Sequence, residues 1–293
     1  MSRDTKLLAK NLVRAAVTLE PSNTLYDARN HLLRYNISRV LIAKDNKPLG
    51  IITEKDIARF LYIEMPNRRL YEITINEIMS KNLVTTEEQT DLNVCAKMML
   101  EKKISSIIVI DKNKNLTGIF TKSDLIDTYG NYSHNNVKTE RYMTKKVITV
   151  APDENLHMIL LLMADNQISR VIVTKDDRAV GIISGHDLLP VSTLFGNGVL
   201  GKYWTTEQDM LSRRHGQRVI PSGIKAVFLA KDIMKFDPIT TTKESDLIEA
   251  AQIMSNNRIS GLPVVADDSA EASLVGIITK TDIVKAIAND TSA

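Results

Sequence analysis

The sequence predicts a mixed α/β fold of the α+β kind, built from four copies of one strand–helix–strand–strand–helix unit. Three recurrences predict it. The string Gly-Ile-Ile-Thr-Glu-Lys-Asp at 50–56 returns as Gly-Ile-Phe-Thr-Lys-Ser-Asp at 118–124, Gly-Ile-Ile-Ser-Gly-His-Asp at 181–187 and Gly-Ile-Ile-Thr-Lys-Thr-Asp at 276–282. An Ile-Ser pair precedes each copy, at Ile37-Ser38, Ile104-Ser105, Ile168-Ser169 and Ile259-Ser260. A leucine stands twelve residues before each of those isoleucines: Leu25, Leu92, Leu156 and Leu247.

Each element follows in order. A short β-branched stretch opens every unit: Ala15–Leu19, Leu83–Thr86, Val147–Val150 and Ile239–Thr242. After each leucine, apolar residues at +3 and +7 (Ala28/Leu32, Cys95/Met99, Ile159/Met163, Ala250/Met254) trace one face of an amphipathic helix. The apolar runs Arg39–Ala43, Ile107–Ile110, Val171–Thr174 and Leu262–Val265 read as buried strands. Turn-forming clusters such as Lys44-Asp45-Asn46-Lys47 lead each into the Gly-Ile-Ile/Phe strand. The Thr/Ser-x-x-Asp that ends it caps a second helix.

At 293 residues the chain exceeds one ordinary core, while a unit of about 50 residues buries too little apolar surface to stand alone. Units are therefore expected to pair, sheet against sheet. A 43% hydrophobic and 25% charged composition excludes whole-chain disorder, and 5% aromatic residues leave the core to aliphatic side chains. The single cysteine, Cys95, excludes a disulfide framework and a cysteine metal cluster, and sits at a core-facing helix position. No stretch approaches 18 apolar residues and the N-terminus lacks an apolar signal core, so no membrane span and a cytoplasmic location are expected. The net charge of +3 resides wholly in residues 191–230, where five Lys/Arg face two acids. Elsewhere 33 positive side chains balance 33 negative ones, unlike the long basic face of a nucleic-acid binder.

The four units resemble CBS domains, named after cystathionine β-synthase, which occur as tandem pairs called Bateman modules. The resemblance covers 11–62, 76–128, 141–190 and 231–287, leaving 191–230 as an insertion in the second module. Four repeats with no attached enzyme are similar to the nucleotide-sensing γ subunits of AMP-activated protein kinases and to stand-alone archaeal relatives. That implies two modules, repeats 1–2 and 3–4, in a flat disk.

The signature has chemistry of its own. A ribose presents two adjacent hydroxyls that one carboxylate can accept, and Asp56, Asp124, Asp187 and Asp282 stand at the first turn of a helix. The hydroxyls Thr53, Thr121, Ser184 and Thr279 sit beside the N–H groups of that helix, where the dipole favours phosphate. The resemblance assigns these positions to ribose and phosphate. It builds the adenine pocket from Val17, Val84, Ile148 and Ile239, from Ile37, Ile104, Ile168 and Ile259, and from Ile51, Ile119, Ile182 and Ile277. Ser80 and Thr144 match its hydroxyl edge, where repeat 1 has Val13 and repeat 4 has Lys235. Arg39 and Arg170 occupy phosphate-contacting positions, whereas repeats 2 and 4 have Ser106 and Gly261. The implied ligand is a regulatory adenine nucleotide (AMP, ADP or ATP), with no further cofactor, no metal and no catalytic residues. Its free energy of about 6–8 kcal/mol corresponds to Kd of about 1–40 μM.

Gly196-Asn-Gly-Val-Leu-Gly-Lys202 matches G-x-G-x-x-G and nearly a P-loop, but Tyr203 stands where Mg²⁺ needs Ser or Thr. The stretch 202–218, with Trp204 among Arg213, Arg214 and Arg218, suits a protein partner or a nucleic acid. Three alternatives therefore stay open: a transcriptional or RNA-associated regulator acting through 202–218, an S-adenosylmethionine-binding module, and an enzyme with its site in the insertion. A kinase or other enzyme as regulated partner, and a homodimer, are both compatible with the leading reading.

Overall fold

A computed structural model describes residues 7–60, 68–132, 137–189, 228–269 and 271–289. The glycine-rich stretch 196–201, Trp204 and the basic patch 202–218 lie outside the described residues. Repeat 1 comprises β1 (Thr18–Leu19), α1 (Leu25–Arg34), β2 (Arg39–Lys44), β3 (Lys47–Thr53) and α2 (Glu54–Arg59). Repeat 2 begins with α3 (Ile75–Ile78), then β4 (Thr85–Glu87), α4 (Leu92–Glu101), β5 (Ser106–Ile110), β6 (Leu116–Thr121) and α5 (Lys122–Tyr132). Repeat 3 has β7 (Thr149–Val150), α6 (Leu156–Asp165), β8 (Arg170–Lys175), β9 (Arg178–Ser184) and α7 (Gly185–Leu188). Repeat 4 has α8 (Ala230–Ile233), β10 (Lys235–Phe236), β11 (Thr241–Thr242), α9 (Leu247–Asn256), β12 (Gly261–Val265), β13 (Leu274–Thr279) and α10 (Lys280–Asn289).

In every repeat the first strand runs parallel to the second, and the second antiparallel to the third. The first helix supplies the crossover that a parallel pair requires. Its N-cap is a side chain that takes an orphan N–H: Thr24, Asp91, Asn155 and Asp246. Tight hairpins join the second and third strands in repeats 1 and 3. There Asp45-Asn46 and Asp176-Asp177 take positive φ of 49°, 59°, 51° and 59°, the twist that a two-residue connection needs. The first strands are shorter than the sequence predicts, two or three residues instead of four or five, because the chain before them is committed to another repeat.

That commitment is an exchange. The segment entering each repeat crosses to the third strand of its module partner: Arg14 pairs with Ile119, Ser80 with Ile51 and Thr144 with Ile277. Lys235-Phe236 adds a fourth strand to the sheet of repeat 3, against Ile182 and Gly181. The signature glycines make room for this crossing. A Cβ on Gly50, Gly181 or Gly276 would strike the sulfur of Met79, Met234 or Met143, and one on Gly118 would strike the Arg14 carbonyl oxygen.

The buried clusters extend the pairing across modules. One core joins α1, β2 and β3 of repeat 1 to α6, β8 and β9 of repeat 3. The other two join repeat 2 to repeat 4, through Ile126 and Tyr129 against Leu247 and Met254, and through Val284 against Leu92 and Leu125. Helix α6, Leu-His-Met-Ile-Leu-Leu-Leu-Met, is apolar nearly all round, as a helix packed on two sides must be. Cys95 is fully buried in a core that joins repeats 2 and 4, and burial raises its thiol to about 11, so it acts as a small apolar side chain. Among the described residues no helix is long and apolar enough to cross a membrane.

Candidate functional site

Strand alternation decides which apolar residues are left for a ligand. In each third strand the residue two after the glycine faces the core: Ile52, Phe120, Ile183 and Ile278 are all 0% exposed. The residue between, Ile51, Ile119, Ile182 or Ile277, points to the other face and stays half-exposed. Ile37, Ile104, Ile168 and Ile259 are half-exposed too, as are Val17, Val84 and Ile148, whereas Ile239 is more open at 44%. Val17, Ile37, Ile104, Ile148, Ile168 and Ile259 also pack against the cores, so Ile51, Ile119, Ile182 and Ile277 are the apolar side chains each repeat leaves most free of its core.

All four carboxylates use one oxygen in the same way. Asp56, Asp124, Asp187 and Asp282 each accept, through Oδ2, both the backbone N–H and the hydroxyl of the Thr or Ser three residues earlier, at 2.6–3.0 Å. The cap and a ligand role can therefore coexist: Oδ2 holds the helix, while Oδ1 faces Arg14 at Asp124, Lys235 at Asp187 and Lys285 at Asp282, and has no ion pair at Asp56 among the described residues. Each signature hydroxyl (Thr53, Thr121, Ser184, Thr279) spends its proton on the aspartate. A phosphate there would meet the N–H groups of the helix mouth and nearby cations first.

Those cations converge from all four repeats. Arg39 donates to the Ser105 carbonyl at 2.7 Å and to its neighbour Ser38 at 2.6 Å; Arg170 donates to the carbonyl and hydroxyl of Ser260, both at 2.6 Å. Each arginine lies across its module, and the small residue at the matching position of the partner, Ser106 or Gly261, admits it. A Cβ on Gly261 would press into the Arg170 guanidinium. Lys122 donates to Thr281 at 2.9 Å, and Lys280 returns a bond to Ser123 at 2.6 Å. At the same positions between repeats 1 and 3, His186 meets Glu54 at 3.0 Å. Gly185 offers no side chain in return, and Lys55 is left exposed with no hydrogen bond among those described.

The electrostatics follow from this crowding. Desolvation, aided by Lys55, holds the Lys122 ammonium down at about 8 even though Asp282 pulls the other way. Desolvation and Arg170 bring Lys280 to about 8 against Asp127, and desolvation takes Arg170 to about 10. Lys55 is lowered too, by desolvation and then by Arg170. The bond to Glu54 raises His186 above its ordinary value despite desolvation. The three lysines are thus lowered both by burial and by neighbouring cations, and the two arginines by burial alone.

The sequence reading places Ser80 and Thr144 in the clefts of their own repeats. Backbone pairing carries them instead to Ile51 and Ile277, in repeats 1 and 4. The reading also sets Val13 at the hydroxyl-edge position of repeat 1. Val13 covers Gly118 as Met79 covers Gly50, so the residue that matches Ser80 is Arg14, one position on. Arg14 and Lys235 carry the edge for repeats 2 and 3. Sequence reasoning missed Arg14; the apolar residue that lies over the signature glycine is the alignment mark that finds it.

Two cavities, of about 400 Å³ beside Leu19, Lys44 and Leu116 and about 180 Å³ beside Val147, Thr174 and Leu274, lie at the opposite ends of the strands from the signature. They hold neither a signature carboxylate nor any of the five cations.

The CBS domain profile matches residues 9–63, 75–131, 139–192 and 230–289. A full-length relative, the uncharacterized protein MJ1225 of Methanocaldococcus jannaschii, is 29% identical over 285 residues, covering 92% of this chain and 94% of the relative. Its crystal structure, described as that of a proposed archaeal homologue of γ-AMPK, superposes with a TM-score of 0.76 at 25% identity, over 96% of this chain and 99% of that one. An uncharacterized conserved protein of Pyrococcus horikoshii shares the fold, with a TM-score of 0.61 at 20% identity over 96% and 100%. The chain belongs to the CBS domain family, with four CBS domains in two tandem pairs.

Proposed function

We infer that the protein is a regulatory subunit or regulator, with no reaction of its own, that binds adenine nucleotides between paired repeats and passes the binding state to a partner enzyme. The observation that carries this reading is the meeting, at the signature helix mouths, of Arg39, Lys55, Lys122, Arg170 and Lys280. Beside them lie the half-exposed isoleucines Ile51, Ile119, Ile182 and Ile277 and the open Oδ1 of a capped aspartate. An apolar slot, an acceptor for a diol and a shared cationic centre match, in order, the base, ribose and phosphates of a nucleotide. The likeness to a proposed γ-AMPK homologue supports the same assignment. Repeats 1 and 3 share one core and repeats 2 and 4 the other two. Phosphates drawn into the centre would therefore bias the packing of one module on the other, which a partner can read through linkage. Both modules contribute to this centre, so phosphate-rich ligands are favoured over S-adenosylmethionine, whose sulfonium is itself a cation.

Calorimetric titration with AMP, ADP, ATP and S-adenosylmethionine tests this. Low-micromolar binding of at least one nucleotide is expected, weakened about tenfold or more by Asp56→Ala through loss of a charge-assisted bond. Wild-type affinity in the Asp56→Ala and Asp282→Ala proteins would remove the ribose assignment.

A further inference from the structure

The four signature carboxylates are alike in their caps and unlike in what holds Oδ1. In repeat 2, Arg14 Nε lies 2.8 Å from Asp124 Oδ1, with Nη2 3.7 Å from Asp127 Oδ2. In repeat 3, Lys235 Nζ lies 3.3 Å from Asp187 Oδ1. Both cations enter from the exchanged segments, and their backbones pair with the pocket isoleucines of the same clefts, Ile119 and Ile182. Each side chain thus runs from the apolar residue at one end of its cleft to the aspartate at the other. That is the span a nucleoside would fill.

Repeats 1 and 4 differ at this point. There the entering residues paired with Ile51 and Ile277 are Ser80 and Thr144, too short to cross. Asp56 has no ion pair among the described residues. Asp282 Oδ1 meets Lys285 at 2.8 Å, but Lys285 rises from the next turn of the same helix and does not bridge the cleft. Each module therefore has one cleft with a hydroxyl edge and one spanned by a cation.

We propose that Arg14 and Lys235 are built-in occupants of the clefts of repeats 2 and 3, so that nucleotide binds first and tightest at Asp56 and Asp282, one site per module. The proposal rests on the nucleotide reading above and sets its capacity. A ribose diol must displace a cation from Oδ1 at Asp282 as well, but Lys285 can release it without leaving the cleft; at Asp124 or Asp187 the diol must also push aside the chain that spans the cleft. The occupants are themselves 68% and 62% exposed, so they act as tethered competitors, not as part of the core. Salt weakens such pairs, and the closed clefts are expected to open as ionic strength rises.

Site counting decides it. Titration of the full chain with AMP is expected to resolve two tight sites and two sites weaker by about tenfold or more. The double variant Arg14→Ser/Lys235→Thr, which copies Ser80 and Thr144 onto the other clefts, is expected to bring all four to within about threefold of one another. Ser80→Arg should close the Asp56 cleft and leave one tight site. All three substituted positions are exposed, so the variants keep their cores. Four equal sites in the wild type, or two unequal classes that survive in the double variant, would overturn the proposal and leave the nucleotide reading standing. Absence of AMP binding in every protein would overturn both.

Discussion

The Lys280 ammonium of repeat 4 donates a 2.6 Å hydrogen bond to the Ser123 hydroxyl of repeat 2. Lys122 of repeat 2 answers with a bond to Thr281 of repeat 4, so two like charges are held across one interface by neutral acceptors. Each lysine titrates near 8, well below its ordinary 10.5. This cost falls at the proposed nucleotide site, and removing it is expected to stabilise the protein at the expense of nucleotide binding.

Lys280→Met tests the trade. Methionine preserves the stem and drops the charge, so the unliganded protein should gain about 1 kcal/mol against urea while losing about tenfold in nucleotide affinity. A variant that is less stable and binds normally would make Lys280 a structural residue only.

The same two lysines set a pH dependence. An anionic ligand favours their charged forms and raises both bound-state pKa values above 8. Affinity should hold below about pH 8 and fall as pH passes through the bound values, by roughly tenfold for each lysine that engages phosphate. Stability of the unliganded protein moves the other way. Between about 8 and the ordinary 10.5 the unfolded chain holds more protons than the folded one, so these lysines make unfolding harder as pH rises through that window. Titrations in one buffer series from pH 7 to pH 10, paired with urea melts, check both slopes.

Much of this architecture is legible in the sequence. The leucine and +3/+7 stripes locate all four first helices, since Leu25, Leu92, Leu156 and Leu247 are their first residues. The Thr/Ser-x-x-Asp caps stand where spacing puts them. Exchange is not legible, because a repeat alignment compares each unit with the next and cannot tell which neighbour a side chain enters. That is why Ser80 reads as an edge of repeat 2 yet pairs in repeat 1, and why Arg39 reads as part of one cleft yet bonds to Ser105 of the other repeat. One clue was present: Arg39 opposes Ser106, and Arg170 opposes Gly261, large against small at one repeat position.

His186 and Glu54 link repeats 1 and 3 at 3.0 Å, with side chains 29% and 15% exposed. The bond raises the histidine pKa in the folded state, so its contribution is full below the unfolded value of 6.5 and is lost as pH rises through the folded value. Glu54→Gln should cost about 1 kcal/mol at pH 6 and much less at pH 8.5. An equal cost at both values would show that the pair acts as a neutral hydrogen bond.

The glycines of the signature rank themselves by what lies over them. At Gly118 the obstacle is backbone, the Arg14 carbonyl oxygen, fixed by its own bond from the Ile119 N–H at 2.9 Å. A methyl there must break that pairing or bend the strand, and Gly118→Ala should cost about 3 kcal/mol or more. At Gly50 the nearest atoms belong to Met79, a flexible side chain that can turn away, although the Ser80 carbonyl oxygen at 3.2 Å limits the retreat. Gly50→Ala should cost about 1–2 kcal/mol. Gly185 has only the Glu54 side chain beside it, at 3.3 and 3.5 Å, and lies at the start of a helix, where alanine is welcome. Its substitution by alanine should be neutral within about 0.5 kcal/mol. Urea unfolding of the three variants gives the order directly. If Gly118→Ala were the mildest, the exchanged segment would not be the reason that a glycine stands there.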